Sequence, residues 1–197
     1  MPHPMLEQED AKHLISLVRW QALHISEGEP FKLASGKVSP YFFDMKPVIL
    51  HPAGARIIAG TILRILEYLD INQVGGMESG AIPIVAAVVH ASGRSSHPVE
   101  GFYVRKQPKE RGTMKLIEGN LTPGKKTAIL EDVTTTGGMS LRAVEAARKE
   151  GCIVENVITI LDREEGSASM LEHSGINLIS LLSVRDVLPE KVKGGIP

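Results

Sequence analysis

The run KKTAILEDVTTTGGMSLRAVEAARKEG, residues 125–151, restricts the fold of this chain more than any other stretch. Ala128, Ile129 and Leu130 are continuously apolar, which predicts a buried strand. Glu131 and Asp132 then fall at its carboxyl end, because charge buried in mid-strand is costly. Successive strand side chains face opposite ways, so the two acids are expected to do different work. Thr134, Thr135 and Thr136 follow, then Gly137 and Gly138, and a helical period begins. Glycine lets backbone N–H groups turn towards a ligand, and a helix start favours an anion through its unpaired N–H groups and its dipole. Such a loop is a nest for a phosphate. It is not a P-loop, because no Gly-Lys-Ser/Thr follows, and the G-x-G-x-x-G spacing is absent. The adjacent acids suit a sugar phosphate, with carboxylates accepting from vicinal ribose hydroxyls while the loop grips the 5-phosphate. The plainer alternative is a capped helix start beside two strand-end charges.

Around this run, extended and helical periods alternate through residues 73–77, 82–91, 99–104, 126–133, 139–150, 153–161, 168–173 and 176–182. That alternation predicts an α/β fold with a mostly parallel sheet flanked by helices and ligands at the carboxyl ends of the strands. Apolar spacing predicts a helix over 5–24, ended by Gly28 and Pro30, and another over 52–69. Residues 31–44 read as two short extended pieces around a turn. A charged segment, 106–119, interrupts the pattern.

With 197 residues, 43% hydrophobic and 23% charged, the chain has the composition of a soluble globular domain. A net charge of -1 argues against a general polyanion binder. Cys152 is the lone cysteine, so no intrachain disulfide forms and a reducing, intracellular setting is expected. The acidic, proline-containing N-terminus does not read as an export signal, and the longest apolar run, 81–89, is far short of the ~20 residues that span a bilayer. No histidine pair has metal-ligand spacing and Cys152 has no C-x-x-C partner.

EDVTTTGGMS, residues 131–140, resembles the phosphoribosyl pyrophosphate (PRPP) motif of the type I phosphoribosyltransferases. Segments between about 31 and 166 are similar to the orotate phosphoribosyltransferases within that family. The resemblance implies the family fold in a single domain, 1–197, with an N-terminal hood over about 1–45, a core over about 46–197 and a mobile lid loop over about 105–119. It implies that Glu131 and Asp132 contact the ribose, with Asp132 catalytic, and that Val133, Thr134, Thr135, Thr136, Gly137, Gly138 and Met139 bind PRPP. Glu131 departs from the usual Asp-Asp pair, and the longer acid keeps the same chemistry.

VRKQPKERGTMKLIEG, residues 104–119, is similar to the family's lid. Arg105, Lys106, Lys109, Arg111 and Lys115 supply its cations. Closing over pyrophosphate, they would stabilise charge on the leaving group and exclude water. The best-known members have His where this chain has Arg111. Arginine does not transfer a proton near neutral pH, so Lys106 and Lys109 are the expected catalytic lid residues and Arg111 is a phosphate clamp. A solvated hairpin tip is the alternative; a nucleic-acid patch is disfavoured because no aromatics interleave.

Half of the chain's Phe, Tyr and Trp residues lie between Phe31 and Phe43. This segment resembles the family's hood, whose adjacent aromatics flank orotate; they match Phe42 and Phe43. The alternative is a hairpin that buries its aromatics. Many members carry a lysine where Ala34 stands, and neither Lys32 nor Lys37 is assigned that role. VGGMESGAIPI, residues 74–84, looks like the pyrophosphate loop, with Gly75, Gly76 and Gly80 permitting close approach; a plain tight turn fits as well. In LDREEG, 161–166, Arg163 follows an apolar strand. The resemblance implies that Arg163 and Thr135 hold orotate, a guanidinium suiting its carboxylate.

The implied reaction joins PRPP to orotate, giving orotidine 5'-phosphate and pyrophosphate. Magnesium bound through the phosphates, a homodimer with lid residues acting across its interface, a cytoplasmic location, and no nucleic-acid or membrane partner are also expected. The rivals are transfer to another base and a PRPP-sensing regulator.

Overall fold

The computed structural model describes residues 1–26, 28–32, 38–108 and 115–189. Helix α1 (Gln8–Leu17) runs through a π-turn (Val18–Ala22) into strand β1 (Leu23–Ile25). The short strands β2 (Phe31–Lys32) and β3 (Val38–Ser39) pair antiparallel, and β4 (Tyr41–Phe43) pairs antiparallel with β1. Helices α2 (Lys46–Ile49) and α3 (Pro52–Tyr68) follow. The remaining order is β5 (Gln73–Gly75), α4 (Ala81–Ser92), β6 (Glu100–Val104), β7 (Ile117–Gly119), β8 (Lys126–Thr134), α5 (Gly138–Lys149), β9 (Ile153–Asp162), α6 (Ser167–Glu172), β10 (Asn177–Ser183) and α7 (Val184–Val187).

One sheet has the strand order β10-β9-β8-β5-β6-β7, parallel throughout except for the β6–β7 pair. Helices cover both faces, because β8 alternates its apolar side chains between them. Leu130 packs into a core with Leu14, Val18, Ile57, Ile62 and Ile84, and Ile129 packs into a second with Phe102, Val144 and Leu171. Each such fully buried aliphatic side chain contributes about 1.5–3 kcal/mol. The α/β expectation, with a mostly parallel sheet between helices, is met. Since β5, β6, β8 and β9 run parallel, the loops after all four gather at one edge of the sheet.

Two local expectations differ. The helix expected over 5–24 stops at Leu17, and Leu23 and Ile25 are extended, in register with Phe43 and Tyr41. The chain stays helical, as a π-turn, through Ala22; from Leu23 on, pairing with β4 outweighs local preference. Ile117–Gly119, read as part of an irregular segment, pairs antiparallel with β6. A strand this short leaves no period in the sequence.

Candidate active site

The end of β8 separates the two acids as the alternation of a strand requires. Glu131 turns towards α5, where its Oε2 accepts from Ser140 Oγ at 3.0 Å. Asp132 lies beside Gly80, where a Cβ would stand 2.6 Å from its carboxylate, so glycine is what admits this acid. Asp132 Oδ1 also accepts the N–H of Val133 at 2.9 Å. After β8 the chain passes through Gly137, whose φ of 83° is left-handed, and enters α5. A cavity of about 390 Å³ is lined by residues 131–140. Thr134 Oγ1 is buried here with no hydrogen-bond partner, an uncompensated hydroxyl next to a helix N-terminus.

Burial, and next the charge of Asp132, push the Glu131 carboxyl up from 4.5 to about 8. The folded chain therefore keeps a proton that the unfolded chain gives up. Its stabilising share is complete below about pH 4.5 and is lost as pH rises through about 8. Glu131→Gln should accordingly raise the melting temperature more at pH 8 than at pH 5. An equal shift at both would show that Glu131 ionises without penalty.

The loops on either side meet the same edge. The Glu78 carboxylate accepts the Lys106 backbone N–H at 2.7 Å, and Arg105 Nη1 lies 4.0 Å from its other oxygen. From β9, the Arg163 N–H donates to the carbonyl of Thr134 at 3.0 Å, tying this strand end to the loop that follows β8. The Arg163 side chain is only 4% exposed. Its Nε donates to Glu165 Oε1 at 2.8 Å, its Nη2 donates to Ser39 Oγ at 3.1 Å, and its guanidinium stacks 4.8 Å from the Tyr41 ring centroid. Asp162 fixes the turn beyond, accepting from Glu164 N–H and Ser167 Oγ. In β4 the Phe42 ring is exposed, near Phe31 and His24, whereas Tyr41 and Phe43 point inward and meet edge to face.

No family model matches the chain. A curated orotate phosphoribosyltransferase from Aquifex aeolicus is 39% identical over 184 residues, 93% of this chain and 99% of that protein. The chain belongs to the orotate phosphoribosyltransferase family. Solved structures agree in fold. A phosphoribosyltransferase from Corynebacterium diphtheriae matches with a TM-score of 0.79 at 31% identity, over 91% of this chain and 99% of that one. Mycobacterium tuberculosis orotate phosphoribosyltransferase in complex with PRPP matches with a TM-score of 0.74 at 29% identity, over 93% and 94%.

Against the orotate phosphoribosyltransferase pattern, the structure brings residues 131–140 together around one cavity and sets Arg105 and Lys106 beside the 76–80 loop. It ties Arg163 to the β3–β4 segment through Ser39 and Tyr41. Phe42 and Phe43 face opposite sides of β4: the Phe42 ring is exposed, and Phe43, 4% exposed, packs into the core. Lys109, Arg111, Ala34 and Lys37 lie outside the described residues. Several contacting residues, Ser39 among them, have no signal read in the sequence. Glu78 was a lone acid inside a glycine-rich segment; Tyr41 was counted only within an aromatic cluster; Glu165 stands two residues from Arg163, a spacing that could have signalled the pair.

Proposed function

We propose that this chain transfers the 5-phosphoribosyl group of PRPP to orotate, in pyrimidine biosynthesis. The bond from ribose C1 to the pyrophosphate oxygen breaks and a bond from C1 to a ring nitrogen of orotate forms. One observation carries the reading: an acid pair split across the end of β8, opening on a cavity formed by a hydroxyl-rich helix start. Asp132 accepts from the ribose hydroxyls, and Glu131 supports it from the α5 side. The N–H groups and hydroxyls of residues 134–140 take the 5-phosphate, with Thr134 Oγ1 gaining the partner it lacks. Arg105 and Lys106, and with them Lys109 and Arg111, meet charge on the departing pyrophosphate. The proton that the orotate ring nitrogen gives up on forming this bond passes by way of Lys106 or Lys109 to the departing pyrophosphate. Arg163, Thr135 and the exposed ring of Phe42 hold orotate, while Phe43 keeps β4 seated.

Magnesium fits this site. It would be held mainly through the phosphate oxygens of PRPP and pyrophosphate, and the Asp132 carboxylate lining the cavity is an oxygen donor of the hard kind it prefers. When bound, it would neutralise charge on the polyphosphate. A homodimer whose lid cations act across the interface, a single domain of hood, core and lid, and a cytoplasmic location complete the proposal. No helix among the described residues is long and apolar enough to cross a membrane.

Lys106→Ala should lower kcat by about 10²-fold with little change in melting temperature, since its charge matters in the transition state rather than in folding. An unchanged kcat would return this segment to a solvated turn. The proposal as a whole is tested by supplying PRPP, Mg2+ and orotate and following pyrophosphate. Release in step with orotate consumption is expected; no release overturns it.

A further inference from the structure

Glu78 lies in the loop between β5 and α4, where backbone pairing with the end of β6 is running out. Val104 N–H donates to the Gly76 carbonyl at 2.8 Å, and Glu78 N–H donates to the Val104 carbonyl at 2.8 Å. The next rung is made by a side chain: Lys106 N–H donates to Glu78 Oε1 at 2.7 Å. Glu78 Oε2 faces Arg105 Nη1 at 4.0 Å. From the opposite side Arg142, one turn into α5, donates to the Lys106 carbonyl at 3.4 Å. The Lys106 peptide is thereby held at both edges, by the loop that admits Asp132 and by the helix that opens from the phosphate nest.

We propose that Glu78 is a positioning residue whose carboxylate, by accepting the Lys106 N–H and facing Arg105, fixes these two cations against the pyrophosphate of PRPP. The role rests on the orotate reading above and adds a residue to it. Two properties of the side chain separate. Its reach supplies an acceptor for a backbone N–H that would otherwise lose its place, and misplacing a reacting group by about 1 Å costs about 10²-fold in rate. Its charge, by contrast, partly neutralises Arg105 and so competes with an incoming polyanion, an effect weakened by water and salt.

Steady-state kinetics of Glu78→Gln, Glu78→Asp and Glu78→Ala in the full chain, with melting temperatures, test this. Gln keeps the acceptor and drops the charge: kcat should stay within about threefold of wild type, while KM for PRPP falls by about threefold and becomes more salt-dependent. Asp keeps the charge and loses the reach, so its kcat should fall by about 10- to 100-fold, as for Ala, with KM for orotate unchanged. Wild-type kcat in the Asp variant, or a Gln variant as impaired as Ala, overturns the role. Should Ala fail to fold, the contrast between Asp and Gln still decides. Absence of turnover in the wild-type chain overturns the orotate reading and this role together; wild-type turnover with a flat series overturns the role alone.

Discussion

Asp132→Asn should lower kcat/KM for PRPP by about 10²- to 10³-fold and leave the fold intact. The carboxylate sits at a strand end beside Gly80, in space that asparagine also fits. Its bond from Val133 N–H can be kept by the amide oxygen. What is lost is the charge, together with one acceptor replaced by a donor. A hydrogen bond to a charged group contributes about 1.5–3 kcal/mol, and two ribose hydroxyls are to be served. Kinetics with PRPP varied at saturating orotate, beside a melting curve, give the comparison. Wild-type kinetics would remove Asp132 from the ribose site.

The other large effect is expected at Arg163, and it has two parts that must be separated. Arg163 and Glu165 form a buried ion pair at 2.8 Å, with side chains 4% and 11% exposed. Arg163→Leu strands the Glu165 carboxylate, a change that costs about 3–5 kcal/mol when a buried pair is broken on one side. Instability alone would then lower activity. Adding Glu165→Gln removes the stranded charge, so the double variant should regain much of the melting temperature. Its KM for orotate should stay elevated by about 10²-fold or more over wild type, with KM for PRPP little changed, because a site built for a carboxylate loses its partner. Recovery of orotate KM in the double variant would confine Arg163 to bracing the hood.

The sequence made β8 and the loop after it legible because each local signal agrees with its neighbours. The apolar run is buried on both faces, the acids follow it within the last four residues of the strand, and glycine sits where a left-handed turn is needed. The opposed facing of Glu131 and Asp132 followed from strand geometry alone and is what the structure shows. The N-terminal strands were less legible, since β1 is held by pairing with β4 and carries no period of its own. The same alternation that separates Glu131 from Asp132 also turns Phe43 away from Phe42, a consequence that adjacency in sequence concealed. Contacts made by Glu78, Ser39 and Tyr41 join segments far apart in the chain, and only the meeting of loops at one sheet edge creates them.

The identity of the acceptor base is tested most directly by the ratio of kcat/KM for orotate to that for uracil, measured by pyrophosphate release at fixed PRPP and Mg2+. With hypoxanthine and adenine run alongside, orotate should be preferred by up to about 10⁴-fold, since uracil leaves the groups meant for the carboxylate unpaired. Equal use of uracil or of a purine would contradict the orotate assignment.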